Sequence, residues 1–116
     1  MASDWSDNIL ISELSDEPAL SEELSAVYDR LSPRATKHLV LNFSGVTYVS
    51  SSHLALLLRL RKRLVDSGRS MVLCSMSDQV WSVFMLTGLD RVFRTAQDPM
   101  TALATLQLES EQGLGD

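Results

Sequence analysis

Leu39-Val40-Leu41-Asn42-Phe43 is a nearly continuous apolar run, the pattern of a strand covered on both faces. Residues 37–43 therefore predict the strongest strand, which Gly45 breaks. Residues 8–14, shorter and mixed, predict a strand at a sheet edge, and residues 71–75 and 92–95 predict two further short strands. Between the strands, hydrophobic positions recur at helical spacing. Leu20, Leu24, Val27, Tyr28 and Leu31 predict a helix opened by the cap residues and early proline of Ser15-Asp16-Glu17-Pro18 and closed by Ser32-Pro33-Arg34. A second helix is predicted over about 52–66, with Leu54, Leu57, Leu58, Leu60, Leu64 and Val65 on one broad arc at ~3.6 residues per turn. Leu56 lies at the edge of that arc and Arg61 falls within it, while Arg59, Lys62, Arg63 and Asp66 lie opposite. Gly68 is the natural stop. Ser77-Asp78 caps a third helix to about Thr87, closed by Gly88. Asp98-Pro99 opens a fourth through about Glu109, with Met100, Leu103, Ala104, Leu106 and Leu108 available to pack.

Strands alternating with helices imply right-handed crossovers, so the expected fold is α/β: a small, mostly parallel sheet of about four strands packed with about four helices. The 116 residues fit one domain, 1–116, with 1–7 and 112–116 expected to be flexible and Trp5 within reach of the core. A hydrophobic content of 45% is enough for a real core, and a net charge of −5 argues against a nucleic-acid binder. The single cysteine, Cys74, excludes an internal disulfide framework and suits a reducing compartment. No apolar run approaches the roughly 20 residues needed to span a bilayer, and the first residues lack a signal-peptide pattern. A cytoplasmic protein without membrane insertion is expected.

Catalytic chemistry finds no motif. A serine hydrolase wants a Gly-x-Ser-x-Gly elbow with a histidine base, and Ser50 to Ser52 have no such elbow. His53 follows them directly, but neighbours i and i+1 on a helix point in different directions. His38, His53 and Cys74 form no metal-ligand pair, and no glycine loop cradles a phosphate. The chain is thus expected to be no enzyme, with no cofactor and no metal.

What remains is Ser50-Ser51-Ser52 at the start of the second helix, where backbone N–H groups lack intrahelical partners. On one reading a serine there is only an N-cap, worth about 1 kcal/mol. On the other, Ser52 is phosphorylated. The helix dipole and free N–H groups tolerate an anion at that point, while nearly two added negative charges change the surface.

At these residues the chain resembles the STAS domain (sulfate transporter and anti-sigma factor antagonist), and most of all its stand-alone bacterial anti-sigma factor antagonists. The matching residues are Leu39 to Val46, then Tyr48-Val49-Ser50-Ser51-Ser52-His53-Leu54. The resemblance continues through Arg59-Leu60-Arg61, the Gly68 turn, Met71-Val72-Leu73 and Leu86-Thr87-Gly88-Leu89-Asp90-Arg91-Val92-Phe93. It implies binding to an anti-sigma factor that is also a serine kinase, which frees a sigma factor. It also implies release by phosphorylation of the second serine of an Asp-Ser-Ser-Gly motif and restoration by a phosphatase. Matched residue by residue, that serine is Ser52, with Ser51 the weaker candidate. Ser50 stands where the family has aspartate and His53 where it has glycine, so Ser50 caps without a charge and His53 adds bulk beside Ser52.

The expected partner-binding residues are Ser51, His53, Leu56, Arg59 and Arg63, with Leu56 either in an exposed strip or sandwiched between elements. The third helix is apolar nearly all round, with Trp81 and Met85 on one side and Val83 and Leu86 on another. Core packing or an exposed patch would each account for it. Two other functions stay open: a STAS subunit of a bacterial lipid-trafficking ABC transporter, and a STAS scaffold that is not phosphorylated. Oligomeric state is left open.

Overall fold

The structure, a computed structural model, describes the backbone of residues 2–115 and the side chains of residues 2–109. The elements in chain order are β1 (Ala2–Asp4), β2 (Ile9–Ser15), α1 (Ala19–Arg30), β3 (His38–Gly45), α2 (Ser51–Asp66), β4 (Met71–Cys74), α3 (Asp78–Leu86), a 3-10 turn (Leu89–Arg91), β5 (Arg94–Ala96) and α4 (Pro99–Gly115). The strands form one sheet in the order β1-β2-β3-β4-β5, parallel throughout except for β1, which runs antiparallel to β2.

The apolar run of β3 has its reason in the layering. Leu39, Leu41 and Phe43 join Leu20, Leu24, Val27, Leu57, Leu60, Leu64, Val80 and Phe84 beneath α1, α2 and α3. Val40 faces the other way, with Ile9, Val72 and Cys74 against Ala102, Leu103 and Leu106 of α4. Both faces of the central strand are covered, as its side-chain alternation requires. Trp81 stacks on Phe84 at 5.7 Å between ring centroids, and Phe84 meets Phe93 edge-on at 5.6 Å.

Several expectations are corrected. The first residues form β1, so the sheet has five strands and its edge is β1 rather than β2. Asp4 ties this edge down through Arg30 and Lys37. Trp5 is 48% exposed and does not enter the core. The last strand is 94–96 instead of 92–95, because Leu89–Arg91 wind into a 3-10 turn first. The helix α4 continues to Gly115, past the expected end near Glu109, and the expected flexibility of 112–116 falls on residues whose side chains, and for Asp116 the backbone too, lie outside the described residues. Leu58 and Val65, grouped with the apolar arc of α2, are exposed, whereas Arg61 donates from Nε to the Val92 carbonyl at 3.0 Å. On α3, Val80 and Phe84 are buried, while Met85 and Leu86 are exposed.

Helix α2 ends as its sequence dictates. Gly68 has φ +71°, its N–H reaches the Val65 carbonyl, and the Arg69 N–H reaches the Leu64 carbonyl. That pair of bonds is a Schellman stop.

Candidate functional site

In a parallel sheet the loops leaving the strand C-termini gather at one end, which brings the β2–α1 and β3–α2 loops together. The β3–α2 loop carries the three serines. It starts at Gly45, where an added Cβ would lie 2.8 Å from the Leu14 carbonyl oxygen of β2. Only a glycine lets the two backbones approach this closely. Asn42 Oδ1 accepts from the Ser44 N–H at 3.0 Å, and the Val46 N–H closes on the Phe43 carbonyl, so the loop turns tightly off the strand.

The β2–α1 loop then clamps it. Asp16 accepts from the Thr47 N–H at 2.8 Å, from the Thr47 hydroxyl at 2.7 Å and from the Tyr48 N–H at 3.4 Å. The Thr47 hydroxyl, foremost, and the Thr47 amide hold the Asp16 carboxyl below the ordinary aspartate range. Asp16 thus spends its oxygens on a neighbouring loop, and α1 begins behind Pro18 without a side-chain cap. Glu17 accepts from the Ser21 amide and hydroxyl, each at 2.7 Å, and these bonds hold its carboxyl below the ordinary range.

The three serines differ. Ser50 is the N-cap of α2: its Oγ accepts from the His53 N–H at 3.3 Å. Ser51 and Ser52 occupy the first two helical positions, are exposed, and make no side-chain hydrogen bond among the described residues. Their hydroxyls stand in solvent beside the N-terminal amides of a 16-residue helix.

His53 is placed differently from the expected partner-binding position. It is 3% exposed, and its Nδ1 accepts from the Ser50 N–H at 2.9 Å, completing a capping box. That bond assigns the ring proton to Nε2, which faces Glu17 Oε2 at 3.4 Å. The ring is turned inward because its own helix start uses it, so it adds no bulk to the surface beside Ser52.

Leu56 is half-buried and packs against the main core. Arg59 is exposed, with no hydrogen bond or ion pair among the described residues. Arg63 is pinned: its Nη1 donates to the Leu31 carbonyl and the Ser32 hydroxyl, its Nη2 donates to the Tyr28 hydroxyl, and its guanidinium lies 4.4 Å over the Tyr28 ring. The structure therefore exposes Ser51, Ser52 and Arg59 on α2, half-buries Leu56 and Arg63, and withdraws His53. The residues that sequence reasoning missed are Asp16, Glu17 and Thr47. The available signal was an acidic pair directly after a parallel strand, which the topology delivers to the neighbouring loop.

Elsewhere, burial pushes the Cys74 thiol up, and His38 accepts the Ser70 N–H at Nδ1. Among the described residues no group of three or more His, Cys, Asp or Glu side chains is placed to hold a metal ion, and no helix is long and apolar enough to cross a membrane.

Comparison with known proteins places this geometry. An anti-sigma-factor antagonist (STAS) domain protein from Planctomyces limnophilus superimposes with a TM-score of 0.80 at 18% identity, over 92% of this chain and 97% of that one. A serine-to-glutamate variant of RsbS from Moorella thermoacetica gives 0.77 at 19% identity, over 91% and 93%. A sulfate transporter family protein from Wolinella succinogenes gives 0.74 at 18% identity, over 89% and 88%. These likenesses establish a shared fold. The sequence profile of the STAS domain matches residues 5–102, which is most of the chain, and the protein belongs to the STAS domain family.

Proposed function

We propose that this protein is a non-catalytic anti-sigma factor antagonist that binds an anti-sigma factor with serine kinase activity and is switched by phosphorylation of Ser52. The observation that carries the reading is the inequality of the three serines. Ser50 is committed to the helix cap, whereas the Ser52 hydroxyl is exposed and unpartnered in the first turn of α2. A phosphoryl group there adds about −1.5 to −2 charge while the fold tolerates it, because helix N-termini stabilise anions by about 0.3–1 kcal/mol. A switch of this kind changes the surface and leaves the core alone. Ser51 is exposed as well, but the family motif aligns the phosphorylated serine with Ser52. Structural neighbours described as an antagonist domain protein and as RsbS support the same reading.

The test is a pull-down from host-cell lysate, read for an anti-sigma factor with serine kinase activity, with wild type, Ser52→Ala and Ser52→Asp as baits. The expected result is retention by Ser52→Ala and loss by Ser52→Asp, with mass spectrometry placing the phosphate on Ser52. Equal recovery with both variants rejects the switch, and no recovery with any bait rejects the partner.

A further inference from the structure

A shallow groove of about 230 Å³ lies between α1 and α2, lined by Tyr28, Arg59, Lys62, Arg63 and Asp66. Its charge runs against that of the molecule. The protein carries a net −5, yet α2 holds Arg59, Arg61, Lys62 and Arg63 against Asp66 as its one carboxylate. Arg61 leaves the groove for the Val92 carbonyl, and Lys62 pairs with Asp66 at 2.9 Å. Two guanidiniums remain, one helical turn apart, a rise of ~6 Å. The α1 wall contributes Tyr28 and no carboxylate.

The two arginines are prepared differently. A guanidinium has five N–H donors, and Arg63 gives three of them to Leu31, Ser32 and Tyr28. Its Nε–H and one Nη2 proton remain, on a group already immobilised by stacking on Tyr28. An anion that binds there encounters a donor whose conformational entropy is already spent. Arg59 makes no bond among the described residues and is free to close over the same ligand.

We propose that this groove docks an acidic segment of the partner, with two carboxylates received by Arg59 and Arg63. The proposal deepens the functional reading and rests on it for the identity of the partner. Charge chooses the occupant. Nucleic acids and anionic membranes are extended polyanions that a −5 protein repels at long range, and each wants a basic face broader than two arginines. A short acidic peptide asks only for local complementarity. Position links the groove to the switch: Ser52, Leu56, Arg59 and Arg63 follow one another at spacings of 4, 3 and 4 along one stripe of α2. Ser52 and Arg59 are separated by a rise of ~10 Å, well inside a single interface of ordinary size. A partner seated over both meets the phosphate on Ser52 with its own acidic segment nearby, and like charges drive it off.

The test uses the full 15N-labelled chain titrated with a decaglutamate peptide, with an uncharged glycine–serine decapeptide as control. Saturable shifts at Tyr28, Arg59, Lys62 and Arg63 with decaglutamate alone are expected, weakened about tenfold by Arg59→Glu, an exposed change that leaves the core untouched. Shifts elsewhere, no shifts, or shifts indifferent to Arg59→Glu overturn the proposal, as does tighter binding of a dT10 oligonucleotide or phosphatidylserine vesicles at the same residues. Peptide binding without kinase recovery rejects the functional reading alone; kinase recovery without peptide binding rejects the groove alone.

Discussion

His53 Nδ1 accepts the Ser50 N–H at 2.9 Å while Ser50 Oγ accepts the His53 N–H at 3.3 Å, so the two residues close the start of α2 on each other. A capping box normally uses glutamate or glutamine at this third helical position. Here an imidazole fills it, and the same ring turns its Nε2 to Glu17 on the neighbouring loop. Helix cap and loop packing are thus one device.

Replacing His53 by glycine, the residue the family has there, removes the acceptor for the Ser50 N–H and introduces a poor helix former. The expected loss is about 2 kcal/mol. His53→Gln keeps an acceptor within reach of the same amide and should cost about half as much. Urea unfolding midpoints compare the three proteins, and coincident midpoints would falsify the capping role.

Asp16 holds Thr47 and Tyr48, so Asp16→Ala should release the loop before α2 and leave the sheet intact. Amide exchange at Thr47 and Tyr48 is expected to speed up by about tenfold, with β3 amides unchanged. The pH dependence has a definite sign. The Thr47 bonds depress the folded-state pKa of Asp16 below its ordinary 3.8, so its contribution is present above that value and disappears as pH falls through the lower folded value. Wild type should show this acid step in Thr47 protection and Asp16→Ala should not.

Gly45→Ala drives a methyl group to 2.8 Å from the Leu14 carbonyl oxygen, a backbone atom that cannot rotate away. Strands β2 and β3 must separate at the end that launches the serine loop. The cost expected is about 1–3 kcal/mol, with resonance shifts concentrated at Leu14, Ser15 and the first turn of α2. An alanine variant as stable as wild type would contradict the close approach.

His38 gives the molecule a second pH dependence. Burial first, then Arg69 and Arg94, lower its pKa, with Glu109 opposing. The folded state therefore binds fewer protons than the unfolded state near the ordinary value of 6.5, and stability declines as pH falls below it. His38→Gln retains an acceptor for the Ser70 N–H but cannot titrate. The stability difference between pH of about 7.5 and about 5.5 should be smaller in the variant, and an unchanged difference assigns the slope elsewhere.

How much of this was legible depended on how local each cause was. The continuous burial of β3, the Ser77 cap of α3 and the left-handed glycines 68 and 88 arise within a few residues of chain, and the sequence carries them openly. The strand β1 was hidden because Ala2-Ser3-Asp4 has no strand pattern of its own; it is a strand by pairing with Leu10, Ile11 and Ser12. Asp16 and Glu17 read locally as the start of α1, and His53 as a surface neighbour of Ser52.

The sequence by itself determined the α/β order, the central buried strand, the junction at which α2 begins and its membership in the family. The first three follow from periodicity and backbone chemistry over short distances, and the family from the match of its sequence profile to residues 5–102. Only the tertiary structure decided that Asp16 serves Thr47 instead of its own helix, that His53 faces inward to Ser50 and Glu17, and that Arg63 is pinned on Tyr28 while Arg59 stays free. A carboxylate, an imidazole or a guanidinium bonds whichever group the fold delivers within about 3 Å, and its own stretch of chain does not record which group that is.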